Sequence, residues 1–241
     1  MLDELLLLSG NDVPFYQAQI SIHQPSLKEI GYIGEESFHI GSHFLTFSKD
    51  NLPSEDKLNL ENQSDFNIFM SIMNSREKAK HKVDAQLVLA LLFPTAKIQV
   101  EKNQILLQLE NFSSSINENN YDDFKIIIKQ IFCLDNSDSK DNYNPADDLA
   151  AKIAEKIKKG KKRKASDKKL EKLSIYSQYV SILSVGLKKD MNELLNYTVY
   201  QIRDEYKRFT LKQDFDIYLQ MKLAGAKDLE EVSNWMEDIH P

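Results

Sequence analysis

Residues 174–241 read SIYSQYVSILSVGLKKDMNELLNYTVYQIRDEYKRFTLKQDFDIYLQMKLAGAKDLEEVSNWMEDIHP. Apolar residues recur here at helical spacing. Ile175, Tyr179, Val180, Ile182 and Leu183 predict a first helix, with Gly186 as its left-handed C-terminal residue. Asp190 with Glu193 three residues on is a capping-box pattern, in which each side chain satisfies an unpaired backbone N–H at a helix start. Met191, Leu194, Leu195, Thr198, Val199, Ile202, Tyr206 and Phe209 then follow the 3.6-residue period, while Arg203, Asp204, Glu205, Lys207 and Arg208 mostly fill the other faces. The pattern predicts a second helix with a break near Thr210, continuing through Phe215, Tyr218, Leu219 and Met221 and ending at Gly225. Asp228 and Glu231 repeat the cap signature and predict a last short helix with Leu229, Val232, Trp235, Met236 and Ile239.

Working outward, the chain has 241 residues, 41% of them hydrophobic, enough for one large core or two small ones. Only 7 glycines and 6 prolines favour helices over a turn-rich all-β fold. The lone Cys133 excludes an intrachain disulfide framework and fits a reducing compartment. The leucine run after Asp3 and Glu4 is too short and too acidic at its start for a signal peptide or a membrane span, so a soluble, cytoplasmic protein is expected. The net charge of −6 is unevenly distributed. Residues 152–172 hold eleven of the 31 Lys and Arg residues against three acids, which leaves the rest of the chain strongly acidic.

Upstream, Tyr16, Ala18, Ile20 and Ile22 alternate with Gln17, Gln19, Ser21 and His23, predicting one half-buried strand that Pro25 stops. Ser26 and Glu29 predict a capped helix from Leu27. Further helices are expected over 35–47, 65–74, 83–93 and 121–134, the third apolar nearly all round and ended by Pro94. Residues 52–63 read as a loop. Residues 97–110 alternate on both sides of Lys102-Asn103, which predicts a β-hairpin. The polar stretch 135–145 is the best domain boundary, and Asn144-Pro145 would start a helix bearing Leu149, Ile153 and Ile157 that frays in the lysine run.

No nucleotide, hydrolase or metalloprotease motif is present, so no catalytic residue, metal site or cofactor is expected. His39 and His43 have the i, i+4 spacing of two metal ligands but lack a third ligand at zinc-site spacing; partly buried histidines are expected. Cys133 falls on an apolar helix face, where a buried inert thiol is expected. The acidic pairs at 35–36, 122–123 and 147–148 sit at helix starts, where the macrodipole favours them.

Lys158, Lys159, Lys161, Lys162, Arg163 and Lys164 form an electrostatic contact candidate. The run could be a solvated linker, a contact to an acidic protein or a nucleic-acid tether, and the acidic remainder of the chain weighs against the last. Residues 174–209 also contain the ingredients of a helix-turn-helix, which keeps a DNA-binding regulator as the alternative function. Against it, the second helix begins with Asp190 and Glu193 where phosphates would lie. Tyr197, Tyr200, Tyr206 and Phe209 are the candidate partner-binding residues, and Tyr200, off the main stripe, is expected to be an exposed aromatic.

Three stretches carry a family resemblance: IHQPSLKEIGYIGEESFHIG at 22–41, NPADDLAAKIAEKIKK at 144–159, and DMNELLNYTVYQIRDEYKRFTLKQDFDIYLQMKLAGAKDLEEVSNWMEDI from Asp190. Together they resemble the tail assembly chaperones of long-tailed phages and prophages of Gram-positive bacteria. The resemblance implies a non-enzymatic chaperone that coats the tape measure protein, helps recruit tail tube protein, and is absent from the mature virion. Such proteins often exist in a short and a frameshifted long form, and the protein sequence is compatible with either. Self-association is expected and membrane binding is not.

The reading is therefore an α+β protein. An N-terminal domain, 1–134, would combine a small antiparallel or mixed sheet with helices. A polar and lysine-rich linker with a short helix, 135–173, would lead to an all-helical C-terminal domain, 174–241.

Overall fold

The computed structural model describes residues 2–49, 63–74, 79–134, 174–226, 232 and 234–236. The chain is α+β: small antiparallel sheets and helices in its first half, helices alone in 174–226. The expected loop at 52–63, except Gln63, lies outside the described residues, as do the linker 135–173 with its lysine run and nearly all of the last short helix.

The leucine run forms α1 (Glu4–Ser9). Asp3 caps it by accepting from the Leu5 N–H, and Gly10, at φ 70°, closes it in the left-handed region. The expected strand at 16–23 is instead interrupted. β1 (Val13–Phe15) and β2 (Ile20–Ile22) pair antiparallel, Val13 opposite Ile22, across a single 3₁₀ turn at Tyr16–Ala18. That turn breaks the period of two, so Ala18, Ile20 and Ile22 are buried while Tyr16 is 80% exposed. Alternation alone could not separate this hairpin from one longer strand.

Ser26 and Glu29 form the expected capping box at the start of α2 (Leu27–Ile33), which is followed by α3 (Glu35–Leu45). After α4 (Asp65–Asn74) comes α5 (Ala79–Leu92), longer than expected and packed along α3. The two approach closely at Gly41, where a Cβ would lie 2.5 Å from the Asp84 carbonyl oxygen. Ala85, Val88, Leu89 and Leu92 of α5 are buried, but Val83 is exposed, so this helix has an outer side despite its apolar composition.

The hairpin at 97–110 is present as β3 (Lys97–Val100) and β4 (Ile105–Gln108), with the Glu101 N–H donating to the Gln104 carbonyl around Lys102-Asn103. A third strand, β5 (Ser113–Ile116), pairs with β4. Its serines gave no strand pattern; its place is set by pairing and by Ser114 Oγ donating to the Ala18 carbonyl at 2.5 Å. α6 (Tyr121–Ile131) closes this half. Lys125, on α6, is mostly buried and bonds Asp65 at 2.6 Å, tying α6 to α4. Burial alone would lower the Lys125 pKa, but its bonds to Asp122 and Asp65 outweigh it and raise the pKa. Cys133 lies just past the helix with φ 50° and is half-buried, not enclosed on a helix face.

The C-terminal helices are α7 (Ile175–Leu187), α8 (Met191–Leu195) and α9 (Val199–Leu223). The break in the second helix falls at Asn196–Thr198, not at Thr210. Thr198 and Gln201 make a full capping box there, and Thr198 is an N-cap instead of a stripe residue. Asp190 caps α8 through the Asn192 N–H. Gly186 does not end α7; Lys188 does, at φ 56°. Gly225 ends α9 as expected: its N–H donates to the Lys222 carbonyl and that of Ala226 to Met221, a Schellman arrangement.

One hydrophobic core runs through both halves. Tyr176, Val180 and Leu183 of α7, Leu194 of α8, and Val199, Tyr200 and Ile202 of α9 join residues such as Phe15, Phe38, Phe124 and Phe132.

Candidate protein-binding surface

The C-terminal helices are seated on the first half by a set of polar contacts around this core. The Leu27 N–H donates to the Tyr197 carbonyl at 2.9 Å, and Gln201 Nε2 donates to the Leu8 carbonyl at 2.7 Å. Arg203 donates to the Cys133 carbonyl. Glu35 accepts from the Ile175 N–H at 2.8 Å and from the Ser174 hydroxyl, so one carboxylate serves the positive end of α7. His39 stacks on Tyr176, ring centroids 5.5 Å apart, and Phe38 meets the same ring edge-on. Burial, and then the nearby Glu35 charge, push the Tyr176 pKa up. His39 is therefore a packing residue at this junction, and burial followed by the charge of His39 holds the His43 pKa below its ordinary value.

The four aromatic candidates separate into three places. Tyr200 is 9% exposed and belongs to the shared core, which overturns its expected exposure. A single continuous helix facing one core would leave Tyr200 on its outer side. In fact α9 begins at Val199, and its first turn is surrounded by the N-terminal half as well as by α7, so several of its faces are covered. Tyr197 is outside any helix, in the turn before α9. Its hydroxyl accepts from Lys189 Nζ at 2.9 Å, and the same ammonium bonds Glu205 at 3.0 Å. Burial alone would lower the Lys189 pKa; its bonds to Tyr197 and Glu205 outweigh that and raise it.

Tyr206 and Phe209 do come together, where α9 crosses α7. Tyr206 stacks on Tyr179 with centroids 4.2 Å apart. Phe209 lies over Gly186, where a Cβ would meet the ring at 2.4 Å. Gly186 is therefore a contact glycine that lets α9 approach, and both aromatics are partly buried by this contact. Lys158, Lys159, Lys161, Lys162, Arg163 and Lys164 lie outside the described residues.

The exposed apolar surface lies elsewhere on the same helices. α7 carries no charged residue in its 13 positions, and Ile175, Ile182 and Val185 on its outer side are 49%, 40% and 78% exposed. Past Phe209, α9 leaves the core, and Ile217, Leu219, Met221 and Leu223 are exposed. Arg208 Nη1 donates to the Trp235 carbonyl at 3.1 Å. Ile175, Ile182, Leu219 and Met221 belong to the expected apolar stripes; Val185, Ile217 and Leu223 do not. The absence of charge in α7 was a readable sign that its outer side is also apolar.

Among the described residues, no group of three or more His, Cys, Asp or Glu side chains could hold a metal ion, and no helix is long and apolar enough to cross a membrane.

Comparison with known proteins adds one finding. Residues 166–240 match the model of a family described as the YomV second domain. The matched stretch contains α7, α8 and α9, and it suggests a protein family of phage or prophage derivation. No curated protein and no solved structure matches the chain.

Proposed function

We propose that this protein is a non-enzymatic phage tail assembly chaperone, working in the cytoplasm of the bacterial host and absent from the finished virion. It binds the tape measure protein, helps recruit tail tube subunits, and self-associates. The observation that carries the reading is the exposed apolar run on α9, Ile217, Leu219, Met221 and Leu223, inside the stretch matched by the YomV second-domain model. A holdase must offer apolar contact area to a long helical client without burying its own surface beforehand. A helix that leaves its core while keeping aliphatic and methionine side chains meets that need, and methionine adapts to irregular partners. The acidic balance of the chain, −6 overall, favours solubility of a loaded complex. The DNA-binding alternative draws less support: Gln201 and Arg203, near the start of α9, are engaged with the Leu8 and Cys133 carbonyls.

The test is co-expression with the tape measure protein of the same phage. The wild type is expected to keep that protein soluble and to co-purify with it. An Ile217→Asp, Met221→Asp variant should lose the complex while its folding stability stays within about 1 kcal/mol, since both side chains are exposed. Tyr200→Ala does not serve here, because removing a buried aromatic would unfold the docking site. A tape measure protein left insoluble by the wild type would sink the assignment.

A further inference from the structure

The three-stranded sheet has two outer strands, and the fold treats them differently. β5 is met by the 3₁₀ turn, where the Ser114 hydroxyl donates to the Ala18 carbonyl. β3 is left open: among the described residues, no strand pairs with its far side. The register fixes which backbone groups lie there. The Glu101 N–H bonds the Gln104 carbonyl, so the next hydrogen-bonded pairs along the hairpin are Gln99–Leu106 and Lys97–Gln108. The N–H and C=O groups of Ile98 and Val100 therefore point away from β4, and among the described residues they have no hydrogen-bond partner. Such an edge is a template for another strand, and β3 carries no proline or bulge to blunt it.

The sequence of this edge says which strand fits. With the residue that follows it, β3 reads Lys97-Ile98-Gln99-Val100-Glu101. Laid antiparallel on a second copy about Gln99, Lys97 falls opposite Glu101, Ile98 opposite Val100, and Gln99 opposite itself. In that register the Ile98–Val100 pairs exchange backbone bonds through the groups left open. The Lys97–Glu101 pairs are of the non-hydrogen-bonded kind, in which side chains come closest. Lys97 and Glu101 are exposed, and neither has an ion pair among the described residues. Glu101 accepts only from Gln104 Nε2, at 2.6 Å, a neutral donor that leaves its charge uncompensated. Ile98 and Val100, on the core face of the sheet opposite Leu107 and Ile105, are half-buried and keep surface that a neighbouring strand can cover. A parallel pair in equal register would set Lys97 against Lys97, and a shift of two residues would lose both charge pairs.

We propose that β3 pairs antiparallel with β3 of a second copy, joining two three-stranded sheets into one continuous sheet across a twofold axis at Gln99. Backbone bonds supply the contact, and the two Lys97–Glu101 pairs set its direction and register. Two short strands bury less surface than a standard interface, so the dimer is weak and concentration-dependent. The edge lies outside the stretch matched by the family model. The inference deepens the self-association in the proposed function and rests on that part alone; client binding is tested separately, on α9.

The experiment is sedimentation equilibrium of the full chain, without tape measure protein, alongside amide hydrogen exchange. The wild type should dimerise reversibly, with exchange at Ile98 and Val100 slowing as concentration rises. Lys97→Glu and Glu101→Lys, each alone, set like charges opposite each other in both pairs and should weaken the dimer about tenfold or more. In dilute solution neither change should move the melting temperature, since both residues are exposed. The Lys97→Glu, Glu101→Lys double variant restores opposite charges and should dimerise as the wild type does. An equimolar mixture of the two single variants should form a heterodimer. A wild type that is monomeric at about 1 mM overturns the proposal. So does a dimer that neither single change weakens, or a double variant that stays as weak as the single ones.

Discussion

The two ends of α9 are built from similar residues and do opposite things. Its first turn, with Val199, Tyr200 and Ile202, is buried among the N-terminal half and α7. Its last two turns, with Ile217, Leu219, Met221 and Leu223, carry at least as much apolar surface and expose it. A helix of 25 residues is about 37 Å long. Among the described residues, none of the helix beyond Phe209 belongs to the core. The same chemical pattern is therefore a packing device at one end and a free surface at the other. Hydrophobicity by itself does not say which.

The sharpest test of this contrast is to remove the same kind of group at each end. Ile202→Ala should destabilise the fold by about 3 kcal/mol, as deletion of a fully buried aliphatic group does, whereas Leu223→Ala should stay within about 0.5 kcal/mol. Thermal or urea unfolding of the two variants measures both. Comparable losses at the two ends would mean that the distal turns are covered in solution.

Between the ends lies the crossing with α7, and there the expected effect is intermediate. Gly186→Ala should cost about 1–3 kcal/mol, because the new methyl group must displace the Phe209 ring. In the Gly186→Ala, Phe209→Ala double variant that penalty should largely vanish, leaving only the loss of the ring. A double-mutant cycle with no coupling would place the end of the docked segment before Phe209.

The smallest effect concerns Lys189, which ties Tyr197 to Glu205. Its pKa is raised in the folded protein, so its contribution is fully present below the unfolded value of about 10.4 and is lost as pH rises through the higher folded value. Lys189→Met should therefore be less stable than wild type at pH 7, by up to about 1 kcal/mol for a half-exposed pair. The two proteins should converge once the pH exceeds the raised folded value. A difference independent of pH would assign the loss to packing of the lysine stem instead of its charge.

Much of the local structure was legible in the residues. Ser26 with Glu29 announced α2, Asp65–Asn74 its own helix, and the alternation around Lys102-Asn103 the β3–β4 hairpin. These features depend on contacts within a few residues: a cap, a helical stripe, a two-residue turn. The candidate binding residues were less legible. Tyr206 and Phe209 do share a location, but Tyr197 and Tyr200 are held by other parts of the chain.

By itself, then, the sequence determined the α+β class, the helix-rich C-terminal region, the lack of any catalytic motif and most helix starts, because each follows from short-range periodicity and capping. Only the tertiary structure decided the rest. The strand at 16–23 became a hairpin through a 3₁₀ turn, serine-rich β5 became a strand because β4 offered it an edge, and Gly186 became a contact instead of a cap because Phe209 needed its space. Tyr200 was buried while Leu223 was left exposed for the same reason: burial depends on what lies opposite a side chain, and that partner can be more than a hundred residues away.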